Sequence, residues 1–133
     1  MTHQRRCRII AGTLQLFISI GALAGGAGLI FNPTGANLGM PLDLLSNSQF
    51  TDYLVPGIIL LSLIGIGHCI GGLLSLRGVR ISGSLTIILG ILLLFWITAQ
   101  VSWIGLTHWL QPLYFGLGLL EIVFGAKLRS GLS

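Results

Sequence analysis

Glu121 is the residue that demands an explanation. It stands in 116-GLGLLEIVFGAK-127, a run otherwise fit for lipid, and it is one of three acidic residues in the chain. His68 lies in a second apolar run and Gln15 in a third. An ionisable side chain inside a membrane is costly and marks a functional candidate by default. A carboxyl group beside an imidazole can share one proton, which is the chemistry of a proton or cation site. The competing reading is structural: Glu121 ties its helix to a neighbour by a hydrogen bond, or meets Lys127 near one end. Counted at about 1.5 Å per helical residue from the basic helix ends, Glu121, His68 and Gln15 fall near one level, so a Glu121–His68 contact with Gln15 close by is expected.

Other polar groups offer less. Gln100, Asp43, Asp52 and His108 are expected on the opposite, outer side, where the charged ones would form a weak cation site or simply solvated loop charges. His3 and His108 are assigned to opposite sides, both far from His68, so no three-histidine metal site is expected. Cys7 and Cys69 form no C-x-x-C and are placed at different depths, which removes a quinone-linked thiol oxidoreductase. No G-x-S-x-G, H-E-x-x-H, phosphate-binding loop or paired-carboxylate motif is present. The expectation is therefore no enzyme activity, no metal and no cofactor.

The elements that must position these residues follow from composition. The chain of 133 residues is 53% hydrophobic and 8% charged, against about 25% charged in a soluble domain. Its mean hydropathy is +0.95. That little charge cannot cover a water-facing surface, so lipid is the expected solvent. Runs of about 20 apolar residues span a bilayer, and four are read: 9–31, 55–76, 81–104 and 110–127, all within one domain, 1–133. The last is short; either it borrows a turn from Trp109 to Gln111 or the bilayer thins around it.

The net charge is +4 and the pI about 9.8, but the basic residues sit at helix ends and do not suggest nucleic acid. Arg5, Arg6 and Arg8 precede the first span, Arg77 and Arg80 fill the second turn, and Lys127 and Arg129 follow the fourth. With four spans all seven lie on one side, which predicts both termini in the cytoplasm of a bacterial inner membrane. So strong a bias argues against a dual-topology dimer. Tyr53, Trp103, Trp109 and Tyr114 fall near the outer boundary. The Arg-rich start followed by an apolar run has the outline of a signal peptide, but the run continues to Phe31, so an uncleaved first span is expected.

Each span carries a stripe of small and polar residues at steps of three and four. The sets are Gly12, Gln15, Ser19, Ala22, Gly26; Ser62, Gly65, Cys69, Gly72; Gly83, Thr86, Gly90, Leu93, Ile97, Gln100; and Gln111, Tyr114, Gly118, Glu121, Gly125. His68 falls on the shoulder of its stripe. Lipid rewards greasy faces as well as protein does, so these stripes should turn inward. The prediction is an all-α, antiparallel, left-handed four-helix transmembrane bundle. The loop 32–54, apolar and partly helical, is expected to lie on its outer end after the turn Asn32-Pro33-Thr34-Gly35.

The four spans, the segment 52-DYLVPGIILL-61 and the entry to the last span, 109-WLQPLYFGLGLLE-121, resemble small bacterial inner-membrane proteins of the broadly DoxX-like kind. The resemblance implies a four-helix membrane architecture and carries over no catalytic residue. The function expected is that of a non-enzymatic accessory or interaction subunit. Its partners would be the lipid bilayer and another membrane protein or a parallel copy of itself. Two alternatives stand beside it: a small proton, cation or solute carrier built on Glu121 and His68, and a lipid- or quinone-binding module using the Trp96/Trp103 face.

Overall fold

The computed structural model describes residues 3–35, 52–105 and 110–132. These residues are almost entirely helical, in four helices: α1 His3–Phe31, α2 Leu54–Arg77, α3 Ser82–Ile104 and α4 Leu110–Leu132. Three of them, α1, α2 and α3, are long and apolar enough to cross a membrane. In α4 the apolar run is diluted by Gln111, Glu121 and Lys127. Of the cap expected over 32–54, residues 36–51 lie outside the described residues, Asp43 among them, as do Trp109 and His108.

The joints follow local chemistry. α1 stops at Asn32-Pro33-Thr34-Gly35, where Asn32 Oδ1 accepts from the Thr34 N–H at 3.3 Å and its hydroxyl at 2.6 Å. Tyr53 N–H donates to Pro33 O at 2.9 Å, which draws the start of α2 back to the end of α1. α2 stops at Gly78, whose φ of +69° suits glycine alone. There Gly78 N–H donates to Ser75 O and Val79 N–H to Leu74 O, each at 3.1 Å, a Schellman closure that satisfies the last carbonyls. α3 starts four residues later.

Glycines set the closest approaches. A Cβ on Gly26 would meet the Leu61 backbone nitrogen at 2.8 Å and Gly57 O at 2.9 Å, and one on Gly72 would meet Gly12 O at 3.1 Å. Along this seam of α1 with α2 the contacts run in opposite sequence order. The seam of α3 with α4 has the same form: a Cβ on Gly125 would meet the Ile87 nitrogen at 2.9 Å, and one on Gly90 would meet Gly118 O at 2.9 Å. Between the seams lies an apolar cluster of Ile18, Ala22, Ile64, Leu93, Trp96 and Ile97. A smaller one, Cys7, Ala11 and Leu128, closes the end where the basic residues lie. The outward faces are apolar too, with Phe31 84%, Phe95 74% and Ile20 69% exposed.

The inward stripe of α1 is buried at every expected position, and that of α3 at all but Gln100, which is half-buried. α2 differs. Ser62 is exposed and Cys69 only half-buried, while Ile64, His68, Gly71 and Ser75 are buried with Gly65 and Gly72. The buried residues Ile64, His68, Gly71 and Ser75 lie at steps of four, three and four on one helix face; α2 also contains a π-helical stretch over Leu60–Ile66, in which the Gly67 N–H reaches back to Ser62 O. Each such turn holds one residue more than an α-turn, so the downstream face is rotated relative to a straight helix. Ser62 tolerates its outward position because its hydroxyl donates to Ile58 O of its own helix at 2.7 Å.

Paired substitutions test these seams. Gly26→Ala should destabilise the extracted protein by about 1–3 kcal/mol, because backbone faces the added methyl. Gly116, with nothing within 4 Å of a Cβ, should instead gain up to about 1 kcal/mol as alanine from helix propensity. Thermal unfolding in detergent followed by circular dichroism reads both.

Candidate functional site

His68, on the inward face of α2, meets α4. His68 Nε2 lies 2.9 Å from Glu121 Oε1, and both side chains are fully buried. Glu121 rests on α3, where its Cβ would lie 3.0 Å from a Cβ on Gly90. His68 Nδ1 lies 2.8 Å from Ile64 O. A carbonyl oxygen only accepts, so Nδ1 carries a hydrogen. The contact from Nε2 to Oε1 then holds a single proton. Written as imidazole with carboxylic acid or as imidazolium with carboxylate, the pair has no net charge. That neutrality is what lets it sit among apolar helices, where an unpaired ion would be costly.

Gln15 belongs to a different cluster. Its Nε2 contacts Ala11 O at 3.1 Å, Ser75 Oγ at 3.0 Å and Thr86 Oγ1 at 2.9 Å. The Thr86 hydroxyl donates to Ser82 O at 2.7 Å. The 3.2 Å contact between Ser75 and Thr86 must therefore carry the Ser75 hydrogen. Two hydrogens on Nε2 serve three acceptors, so one bond is shared. This cluster joins α1, α2 and α3, whereas the His68–Glu121 pair joins α2 to α4. Gly71 makes the first possible: a Cβ there would land on Gln15 Oε1 and on Leu89 Cδ1. Leu89 lies against both Gly67 and Gly71, beside His68. A further tie runs from Ser19 Oγ to Gly65 O at 2.7 Å.

The expected contact of Gln15 with the pair is thus replaced by one with Ser75 and Thr86. Ser75 stands three residues after Gly72, where the stripe read from the sequence stops, and seven after His68 on the same helix face. Lys127 does not approach Glu121; its ammonium lies 5.4 Å from the centre of the Phe124 ring. Asp52 Oδ1 accepts from the Leu54 N–H at 3.0 Å and satisfies a donor in the first turn of α2. Trp96 is buried in the apolar cluster and meets Trp103 edge-on at 6.2 Å, so it offers no lipid-facing platform. Gln111 is buried at the start of α4.

Chemically the pair can accept or release a proton, and Glu121 Oε2 is buried with no hydrogen-bond partner. Among the described residues no group of three His, Cys, Asp or Glu side chains could hold a metal ion. No protein-family model, curated protein or solved structure matches the chain.

Unbranched isosteres separate the two clusters. Glu121→Met strands His68 Nε2 in an apolar site and should cost about 1–3 kcal/mol of stability. Gln15→Met leaves Ser75 and Thr86 bonded to each other and removes a buried acceptor that has no donor, so its cost should stay below about 1 kcal/mol. Glu121→Gln keeps a donor for Nε2 and should fall with the milder change. Thermal unfolding of the three variants side by side ranks them.

Proposed function

We propose that the chain is a non-enzymatic integral membrane protein acting as an accessory or interaction subunit. In this reading all four helices cross a bacterial inner membrane as an antiparallel, left-handed bundle with both termini in the cytoplasm. The observation that carries it is how the buried polar side chains are used. Gln15, Ser19, Ser75, Thr86, His68 and Glu121 each bond across from one helix to another, while the outward faces are apolar. Interhelical hydrogen bonds of this kind hold membrane helices together without any hydrophobic drive between them. α4 joins the others on the same grounds: Leu113, Leu119, Leu120 and Val123 face outward and Glu121 inward. The orientation rests on the clustering of lysine and arginine. The architecture is of the DoxX-like kind, and the partners it names are lipid and a further membrane protein or a parallel copy of the chain.

A second reading has one observation of its own. A buried pair sharing a single proton, with Glu121 Oε2 unpartnered, is the minimum equipment of a proton carrier.

Reconstitution decides between them. Liposomes containing the purified protein should dissipate an imposed pH gradient no faster than empty ones. A faster decay, abolished by Glu121→Gln at unchanged folded yield, would replace the accessory role with the carrier. Extraction in mild detergent should recover the chain in an assembly larger than itself, and recovery as a lone monodisperse species would remove the accessory role.

A further inference from the structure

Every lysine and arginine lies in one of three short segments: 5–8, 77–80 and 127–129. The packing gathers these segments. Arg8 lies on Gly78, the Arg129 backbone lies on Gly83, and Gln4 Nε2 donates to Leu128 O at 3.4 Å. The described acidic residues are elsewhere: Glu121 is enclosed with His68, and Asp52 sits at the opposite end of α2 from Arg77.

Arg8 is unlike the other cations. Arg5, Arg6, Arg77, Arg80, Lys127 and Arg129 are exposed, and Arg8 is half-buried. Its guanidinium is seated over Gly78: a Cβ on that glycine would collide with Nη1, Cδ and Cζ. The residue that ends α2 in the left-handed conformation therefore also clears the space into which Arg8 folds. So held, Arg8 keeps its Nε buried with no hydrogen-bond partner. That enclosed Nε is out of a ligand's reach; what the half-buried side chain offers outward is the rest of its fork, and the acceptor that fits a guanidinium is a carboxylate or a phosphate. The described residues place no carboxylate there. Ile9, Val79 and Ile81, adjacent in sequence to Arg8, Gly78 and Arg80, expose apolar side chains, which suits acyl chains beside a headgroup. Basic pockets between membrane helices bind anionic headgroups in this way.

We propose that Arg8, seated over Gly78 between α1 and the α2–α3 turn, binds the phosphate of an anionic membrane lipid, with Arg77 and Arg80 adding to the field. The site rests on the membrane reading and is independent of the accessory role.

The test uses the full chain extracted in neutral detergent and titrated with phosphatidylglycerol, phosphatidylcholine or glycerol phosphate, with the thermal midpoint as readout. Phosphatidylglycerol should raise the midpoint, and the other two should leave it unchanged at equal concentration. Arg8→Gln should raise the phosphatidylglycerol concentration for half the shift by roughly fivefold, and Arg80→Gln by clearly less. Arg8→Lys, which keeps the charge and loses the fork, should fall between wild type and Arg8→Gln. Equal effects of Arg8→Gln and Arg80→Gln would mean diffuse surface charge and overturn the site. An equal response to phosphatidylcholine or to glycerol phosphate would overturn it as well. If Arg8→Gln does not fold, Arg8→Lys decides: an unchanged titration overturns the proposal. Recovery in the aqueous fraction without detergent would defeat the membrane reading and the site together, whereas a flat titration of detergent-extracted protein defeats the site alone.

Discussion

The contact between His68 and Glu121 is the constraint around which the rest is arranged. A carboxyl group and an imidazole are enclosed among apolar helices, where neither can turn to water. Their coexistence requires that each be the other's partner and that the pair carry no net charge. The Ile64 carbonyl meets the second ring nitrogen and so fixes which nitrogen holds the hydrogen. Once that is settled, α2 and α4 cannot rotate about their axes without stranding a polar group. The Gln15–Ser75–Thr86 cluster imposes the same condition on α1, α2 and α3. Two small polar clusters between them determine the rotational setting of all four helices.

Polar clusters of this kind need short distances, and the glycines provide them. Backbone lies against backbone at Gly26 with Leu61 and at Gly125 with Ile87. At those separations a side chain as short as serine reaches the neighbouring helix, as Ser19 does to Gly65 O. Gly71 has a more specific role, since its missing side chain is the space occupied by the Gln15 amide. The abundance of glycine therefore supports the polar interior directly. Close seams allow short polar side chains to serve as crosslinks between the helices.

The π-helical stretch of α2 connects these two features. Gly57 upstream of it and Leu61 within it face α1; downstream His68, Gly71 and Ser75 face the interior. Ile64, His68, Gly71 and Ser75 follow one another at steps of four, three and four on one helix face, and Ser62 and Cys69 fall beside that face. One face of the α-helical part carries both the imidazole that meets Glu121 and the Ser75 hydroxyl that meets Gln15. π-turns recur at functional positions in helices, and here the wide stretch ends two residues before the histidine.

The sequence alone determined the helical class, the apolar runs of α1, α2 and α3, and the inward stripe of α1, because those follow from composition and from regular 3.6-residue spacing. The Asn32-Pro33-Thr34-Gly35 turn was legible for the same local reason. The candidacy of Glu121 and His68 was legible as well, since an ionisable residue in an apolar run stands out without any structure. What only the tertiary structure decided was the register of α2 and therefore the membership of each polar cluster: Ser75 in, Cys69 and Ser62 out, and Gln15 with Thr86 instead of Glu121. The reason is that two neighbouring lines of residues in α2, Gly65–Cys69–Gly72 and Ile64–His68–Gly71–Ser75, both have helical spacing. Which of them turns inward depends on the helices packed against it, and that choice belongs to the assembled helices and not to any one of them.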